Sequence, residues 1–364
     1  MSHSGYTRKE FLKTSALGIA AVFFGSSFTA LLPLKNKPYF TIKPIGRKFS
    51  LEGYYIWCSS PVWGEDGKVH LFYSRWKKEK GMGGWLNGSE ICRAEADSPY
   101  HLFEHKEIIL APRGGEFWDA TTCHNPLIKQ VGNQYLLFFM GNANGKTSTK
   151  RIGLAHSDSL AGPWKRPDEP LLLPGKEGSW DDHCTTNPAF VQGNDGKYWL
   201  FYKSWNTLEY ETQKGPVRGN RKYGLAKAES PSGPYKKVLE NPVIDFSSLP
   251  DNAQLEDAFV WKQNGLFHMV ARDMGFYNHE YGLHLTTKDG ICWTKPEIAY
   301  LDMKSYIQES APPEHLKRFG RLERPMILLD RDGETPGFLF GATQGGEFET
   351  STAFVFEIKR TQLR

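Results

Sequence analysis

The chain has 364 residues, 39% hydrophobic and 14% aromatic, enough to bury a sizeable core and too apolar for a disordered chain. Its net charge of +4 is spread without a basic tract, which argues against a nucleic-acid partner. The 23 Phe, 16 Tyr and 11 Trp suit β-strands and clefts in which sugar rings stack.

Residues 1–35 read as an export signal or N-terminal anchor, and residues 36–364 as the functional domain. Arg8 and Lys9 precede Phe11-Leu12-Lys13, and an apolar run broken by Gly and Ser extends from Ala16 to Leu34. The arrangement resembles a twin-arginine signal with Lys9 at the second arginine, so the expected location is the periplasm or the cell surface. Membrane contact is expected only through this segment, if it is retained. Self-association into a homo-oligomer is compatible with the sequence. The five cysteines show no CxxC spacing, and most of them read as buried free thiols.

A strand is expected at Tyr39–Lys48, and after it one pattern occurs five times. An anchor residue opens an apolar strand, a Gly/Asn turn follows, then an aromatic strand, then a strand of alternating small residues. Pro61, Pro126, Pro188, Ala258 and Pro325 are the anchors, spaced by roughly 62–70 residues, the range of large propeller blades. The second and third copies share a longer phrase, WDATTCHNP from Trp118 and WDDHCTTNP from Trp180. Five four-stranded units imply an all-β, five-bladed propeller, closed by Tyr39–Lys48 as the missing outer strand of the last blade.

In a propeller the inner strands line one central channel, so the two residues before each anchor converge. These are Ser59-Ser60, His124-Asn125, Thr186-Asn187, Glu256-Asp257 and Glu323-Arg324. Carboxylates crowded at one point have separated pKa values, which glycoside hydrolysis needs for its acid and its base. The loops Arg75–Glu90, Trp205–Lys222 and Arg272–Tyr281 bring Trp76, Trp85, Trp205, Tyr210, Phe276 and Tyr277 to the same face, as a carbohydrate wall.

The five units, the LFYS and LFYK strands and the acidic floor resemble the five-bladed glycoside hydrolases of families 43 and 117. Family 117 comprises exo-acting α-1,3-(3,6-anhydro-L-galactosidases). The resemblance implies catalytic roles for Asp257, Glu323 and His315, which stands eight residues before Glu323, and an inverting mechanism. Those families place a base Asp just before the first-blade Pro, where this chain has Ser60. Asp119, Asp181 and Asp182 are the nearest replacements; Asp119 and Asp181 share one offset in two blades, a mark of scaffold.

The expected function is therefore an exo-acting glycoside hydrolase cleaving a terminal sugar from an oligosaccharide. Catalytic candidates are Asp257, Glu323, His315, Asp119 and Asp182. Binding candidates are His124, Asn125, His183, Asn187, Glu256, Arg324, Trp205 and Trp85. No cofactor is required, and a Ca²⁺ or similar hard ion in the channel is the one metal the fold would suit. The alternatives are a glycoside phosphorylase, with Arg324 and His124 or His183 as its anion site, and a non-catalytic sugar-binding propeller.

Overall fold

The computed structural model describes residues 37–214, 218–308 and 321–359. Residues 1–35, read from the sequence as an export signal or anchor, lie outside them. Among the described residues, nineteen strands form five antiparallel sheets. Blade 1 contains β2 (Tyr54–Trp63), β3 (Val69–Lys77), β4 (Glu90–Ala96) and β5 (Glu104–Leu110), in that order from the inside. Blade 2 contains β6 (Thr122–Val131), β7 (Gln134–Asn142) and β8 (Arg151–Ser157). Its outer edge is reduced to single bridges, Ile152 to Leu172 and His156 to Lys165.

Blade 3 contains β9 (Thr186–Gln192), β10 (Tyr198–Ser204), β11 (Lys222–Ala228) and β12 (Lys236–Lys237). Blade 4 contains β13 (Gln254–Gln263), β14 (Leu266–Met274), β15 (Gly282–Thr287) and β16 (Glu297–Tyr300). Blade 5 contains β17 (Glu323–Leu329), β18 (Pro336–Gln344) and β19 (Ser351–Lys359), and β1 (Thr41–Phe49) completes it from the other end of the chain. The expected closure is observed: β1 pairs antiparallel with β19, from Thr41 opposite Lys359 to Phe49 opposite Ala353.

The inner strands touch in the cyclic order β2, β6, β9, β13, β17 and back to β2. Each sheet is packed on both faces, so the second strands read as continuous apolar and aromatic runs rather than alternating ones. In β3, every residue from Val69 to Trp76 is buried. Tyr73, Phe138, Phe190, Tyr202 and Phe340 belong to one continuous core that passes from blade to blade.

The repeated Trp-Asp phrase belongs to this frame. Trp118 stacks on Phe139, with 5.4 Å between ring centroids. A Cβ at Gly141 or Gly153 would come within 2.2 Å of the Trp118 ring, so both glycines are needed to admit the indole. Trp180 stacks on Tyr202 in the next blade.

Candidate active site

All five inner strands carry the same defect. In β6, His124 pairs with Met140 and Leu127 with Phe138, so Asn125 and Pro126 together face one partner residue. The same two-against-one bulge interrupts β2 after Trp57, β9 after Thr186, β13 after Glu256 and β17 after Glu323. The first bulged residue is left-handed in every blade: Cys58 (φ 57°), Asn125 (55°), Asn187 (50°), Asp257 (61°) and Arg324 (54°). Asn and Asp tolerate this region, but Cys and Arg rarely occupy it.

The bulges fix the alignment of the blades and correct one expectation. Blade 1 meets the channel with Trp57-Cys58, not with Ser59-Ser60. Pro61 lies two residues further along than the other anchors and pairs with Leu71 inside the sheet. Ser60 is a strut between blades, its Oγ accepting from Ile128 N at 3.1 Å.

The left-handed residues join side chain to side chain around the axis. Cys58 Sγ donates to Asn125 Oδ1 (2.8 Å), Asn125 Nδ2 to Asn187 Oδ1 (2.9 Å) and Asn187 Nδ2 to Asp257 Oδ1 (2.6 Å). Arg324 grips Asp257 from the other side, through Nη1 to Oδ1 (3.1 Å) and its backbone N to Oδ2 (3.2 Å). The Arg324 guanidinium acts electrostatically on the Cys58 thiol and lowers its pKa, though less than burial raises it. Burial pushes that thiol up, so it stays protonated as the donor to Asn125. This belt does not suit a hard cation: its one carboxylate is taken by Arg324 and its sulfur is a neutral thiol.

The residues just before the belt form a second tier: Trp57, His124, Thr186, Glu256 and Glu323. They line a pocket of about 280 Å³ with Trp76, Met82, Trp85, Thr147, Lys150, Lys203, Trp205, Tyr210 and Arg221. His124 stacks on Trp85 at 5.2 Å, and its Nδ1 lies 2.8 Å from Ser89 Oγ. Burial, then Arg324 and Lys150, hold His124 well below the ordinary imidazole range, so it is neutral.

The two glutamates of the tier differ. Glu256 Oε1 lies 2.9 Å from Lys203 Nζ and 2.5 Å from Arg221 Nε, and its Oε2 lies 3.6 Å from Arg272 Nη1. Burial alone would raise its pKa, but these cations outweigh it and hold the carboxyl well below the usual range. Glu323 has one strong cation, Arg272 Nη1 at 2.8 Å. Burial raises the Glu323 carboxyl, Arg272 opposes, Asp257 and Glu256 add to the rise, and the net direction is upward. Arg272 therefore bridges one carboxylate held ionised and one pushed toward its protonated form.

The structure brings together Asp257, Glu323, Glu256, His124, Asn125, Asn187, Arg324, Trp205 and Trp85. His315 lies outside the described residues. Asp119 and Asp182 are placed outside the pocket, each already engaged. Asp119 is fully buried between Arg113 Nε (2.7 Å) and Arg166 Nη1 (3.0 Å). Asp182 accepts from Gly178 N (2.8 Å) and Thr207 N (2.7 Å), the second at the start of helix α1 (Thr207–Thr212). Asp181 bonds Tyr202 and Lys237. His183 sits behind the wall, stacked on Trp205 and bonded to Thr147. Phe276 packs against Phe246, and Tyr277 is half exposed; neither lines the pocket.

Sequence reasoning missed Trp57, Cys58, Lys150, Lys203, Arg221 and Arg272. A signal existed for some of them. LFYSRW and LFYKSW agree at Trp76 and Trp205, which both line the pocket, and disagree where the second places Lys203.

No family model matches the sequence. Two uncharacterized proteins of Mycobacterium tuberculosis, MT1551 of strain CDC 1551 and Rv1502 of strain H37Rv, are each 24% identical over 213 residues. The match takes in 53% of this chain and 64% of theirs, so the chain spans less than two thirds of these relatives. Among solved structures, the family 117 glycoside hydrolase Zg3597 of the marine bacterium Zobellia galactanivorans superimposes with a TM-score of 0.63 at 16% identity, covering 87% of this chain and 89% of that one. A thermostable family-43 glycoside hydrolase gives 0.56 at 14%, covering 86% and 92%. The endo-arabinase of Bacteroides thetaiotaomicron VPI-5482 gives 0.55 at 12%, covering 89% and 98%. The fold is the five-bladed propeller of these enzymes.

Proposed function

We propose that the protein is an exo-acting glycoside hydrolase. The observation that carries the reading is the opposed pair in the second tier, Glu256 held ionised and Glu323 raised, beneath a wall of Trp57, Trp76, Trp85 and Trp205. Two carboxyl groups driven apart in pKa are the mark of an acid and its charged partner. Glu323 protonates the glycosidic oxygen, and Glu256 faces the positive charge that develops at the anomeric carbon.

Exo action is supported by the belt from Cys58 to Arg324, which floors the pocket with side chains bonded in series. At about 280 Å³ the space is at the small end of the ~300–1,000 Å³ of ligand pockets, suited to one terminal sugar. In this reading Asp257 positions Arg324 and Asn187.

A carboxylate held as strongly ionised as Glu256 is a weak proton acceptor. Inversion therefore needs a separate base for water, and Asp257 is the remaining carboxylate among the described pocket residues. The test is turnover on a panel of plant and marine oligosaccharides, followed by NMR of the first-formed anomer. Inversion assigns Asp257 as base, and retention assigns Glu256 as nucleophile. Binding without cleavage across the panel, or cleavage unchanged in Glu323→Gln, would refute the hydrolase reading.

A further inference from the structure

The pocket holds more positive charge than its carboxylates neutralise. Among the described residues, Arg324 engages Asp257, Arg272 engages Glu323, and Lys203 and Arg221 share Glu256. Lys150 is left over. It lines the pocket with only 5% of its surface exposed, and its ammonium makes no ion pair or hydrogen bond among the described residues. It stands over the indole of Trp205, at 4.5 Å, and faces that of Trp85 at 5.8 Å.

The charged and titratable groups around it offer no counter-ion. Lys203 and Arg221 repel it, Glu256 is already shared by both, and Cys184 is a buried thiol with a raised pKa. Arg151 donates to the backbone carbonyls of Ser148 and Lys150 itself. Asp182 is occupied by the amides of Gly178 and Thr207. A desolvated ammonium without a counter-ion is costly, and two indole faces give only part of what water would.

Resting on the glycoside-processing reading of the pocket, we propose that the sugar bound here carries an anionic group, a uronate carboxylate or a sulfate ester, and that Lys150 is its counter-ion. A neutral sugar leaves the ammonium unpaired, and sites of that kind discriminate strongly against a ligand lacking the matching group. The anion seats against the Lys150 ammonium, between Trp85 and Trp205. Inorganic phosphate, the co-substrate of a phosphorylase, is the other source of such an anion, and the test separates the two.

Binding is measured by calorimetry in the Glu323→Gln background, so that turnover does not interfere. The probes are trigalacturonic acid and its methyl ester, sulfated galactan oligosaccharides before and after desulfation, and an array of neutral and anionic glycans. The charged member of at least one matched pair binds about tenfold or more tighter. Lys150→Met, which keeps the apolar stem between the indoles, removes that preference, and Lys150→Arg restores it. Both variants are compared at matched melting temperature. Equal affinity within every pair, a preference that survives Lys150→Met, or binding of neutral glycans alone or of none overturns the proposal. So does neutral-glycan cleavage by the wild type that requires added phosphate and is lost in Lys150→Met. A Lys150-dependent anionic preference without hydrolysis of any glycan would sink the hydrolase reading and leave this one standing. Hydrolysis of neutral glycans at equal rates by wild type and Lys150→Met would do the reverse.

Discussion

One backbone position, repeated around the channel, builds two different half-pockets. Blades 1, 2 and 3 fill it with Trp57, His124 and Thr186, while blades 4 and 5 fill it with Glu256 and Glu323. The bulge beneath is the same in all five, so backbone geometry supplies only an address above the belt. The chemistry comes from the side chain placed there and from the cations on neighbouring strands. Lys203, Arg221 and Arg272 crowd Glu256, whereas Glu323 has chiefly Arg272. Two glutamates at equivalent addresses thereby become an ionised group and a protonatable one, while the same address in the other three blades carries no charge, His124 being neutral.

The largest consequence of that division falls on Glu323. Glu323→Gln removes the proton donor and lowers kcat by about 10²–10⁴-fold without unfolding the protein. The acid works while protonated, so wild-type activity declines as pH rises through the raised Glu323 pKa, and this basic limb disappears in the variant. Linkage gives a second readout of the same shift. A carboxyl whose pKa rises on folding favours the folded state at low pH and opposes it once pH exceeds that pKa. At neutral pH, Glu323→Gln therefore melts at a higher temperature than the wild type. A lower melting temperature with unchanged kcat would make Glu323 a structural residue and remove the contrast between the halves.

Asp119 tests the reverse case, a carboxylate that belongs to the frame. Asp119→Asn leaves Arg113 and Arg166 without their buried partner and costs about 3–5 kcal/mol of stability. The kcat of the folded fraction, measured at low temperature, stays near wild type. A loss of kcat in fully folded protein would return Asp119 to the list of catalytic groups.

The belt comes next. Asn187→Ala cuts two of its links and leaves Asn125 and Asp257 short of a partner, at about 1–3 kcal/mol. Asn187→Gly cuts the same links but accepts the positive φ, so it is the more stable of the two by up to ~1–2 kcal/mol. Equal melting temperatures would mean that the left-handed backbone carries no strain at this position.

How much of this was legible in the sequence follows from what a repeat can and cannot encode. The five units, their closure by the segment read as Tyr39–Lys48 (β1, Thr41–Phe49, in the structure) and the convergence of His124, Asn187, Glu256, Asp257, Glu323 and Arg324 all follow from spacing and strand pattern. The register of blade 1 did not. Its proline stands two residues beyond the position the others occupy, and a bulge leaves no composition cue when its first residue is Cys58. Lys150 and Arg221 escaped because they reach the pocket from loops, and Arg272 because it reaches the two glutamates from a second strand, where no anchor counts residues. The repeated Trp-Asp phrase gave both answers at once. Asp119 and Asp181, where the copies agree, are tied into the frame. At the two places where they disagree the outcome differs: Asp182 also holds a loop, whereas His124 lines the pocket.

The smallest expected effect concerns the aromatic half. Trp85 sits on a short 3₁₀ turn, Met82–Leu86, whose backbone is held independently of the indole: the Trp85 carbonyl accepts from Thr122 Oγ1 at 2.7 Å. His124 keeps its contact with Ser89 when the stack is lost. Trp85→Ala should therefore leave the fold and the acid pair intact and remove only a stacking surface, worth ~0.5–1.5 kcal/mol. That corresponds to a rise in KM of about two- to tenfold, with kcat little changed and Trp85→Phe intermediate. The split between the two constants is what matters. A fall in kcat at constant KM would mean that the tryptophan side acts on the transition state alone, and binding and chemistry could no longer be assigned to opposite halves of the ring.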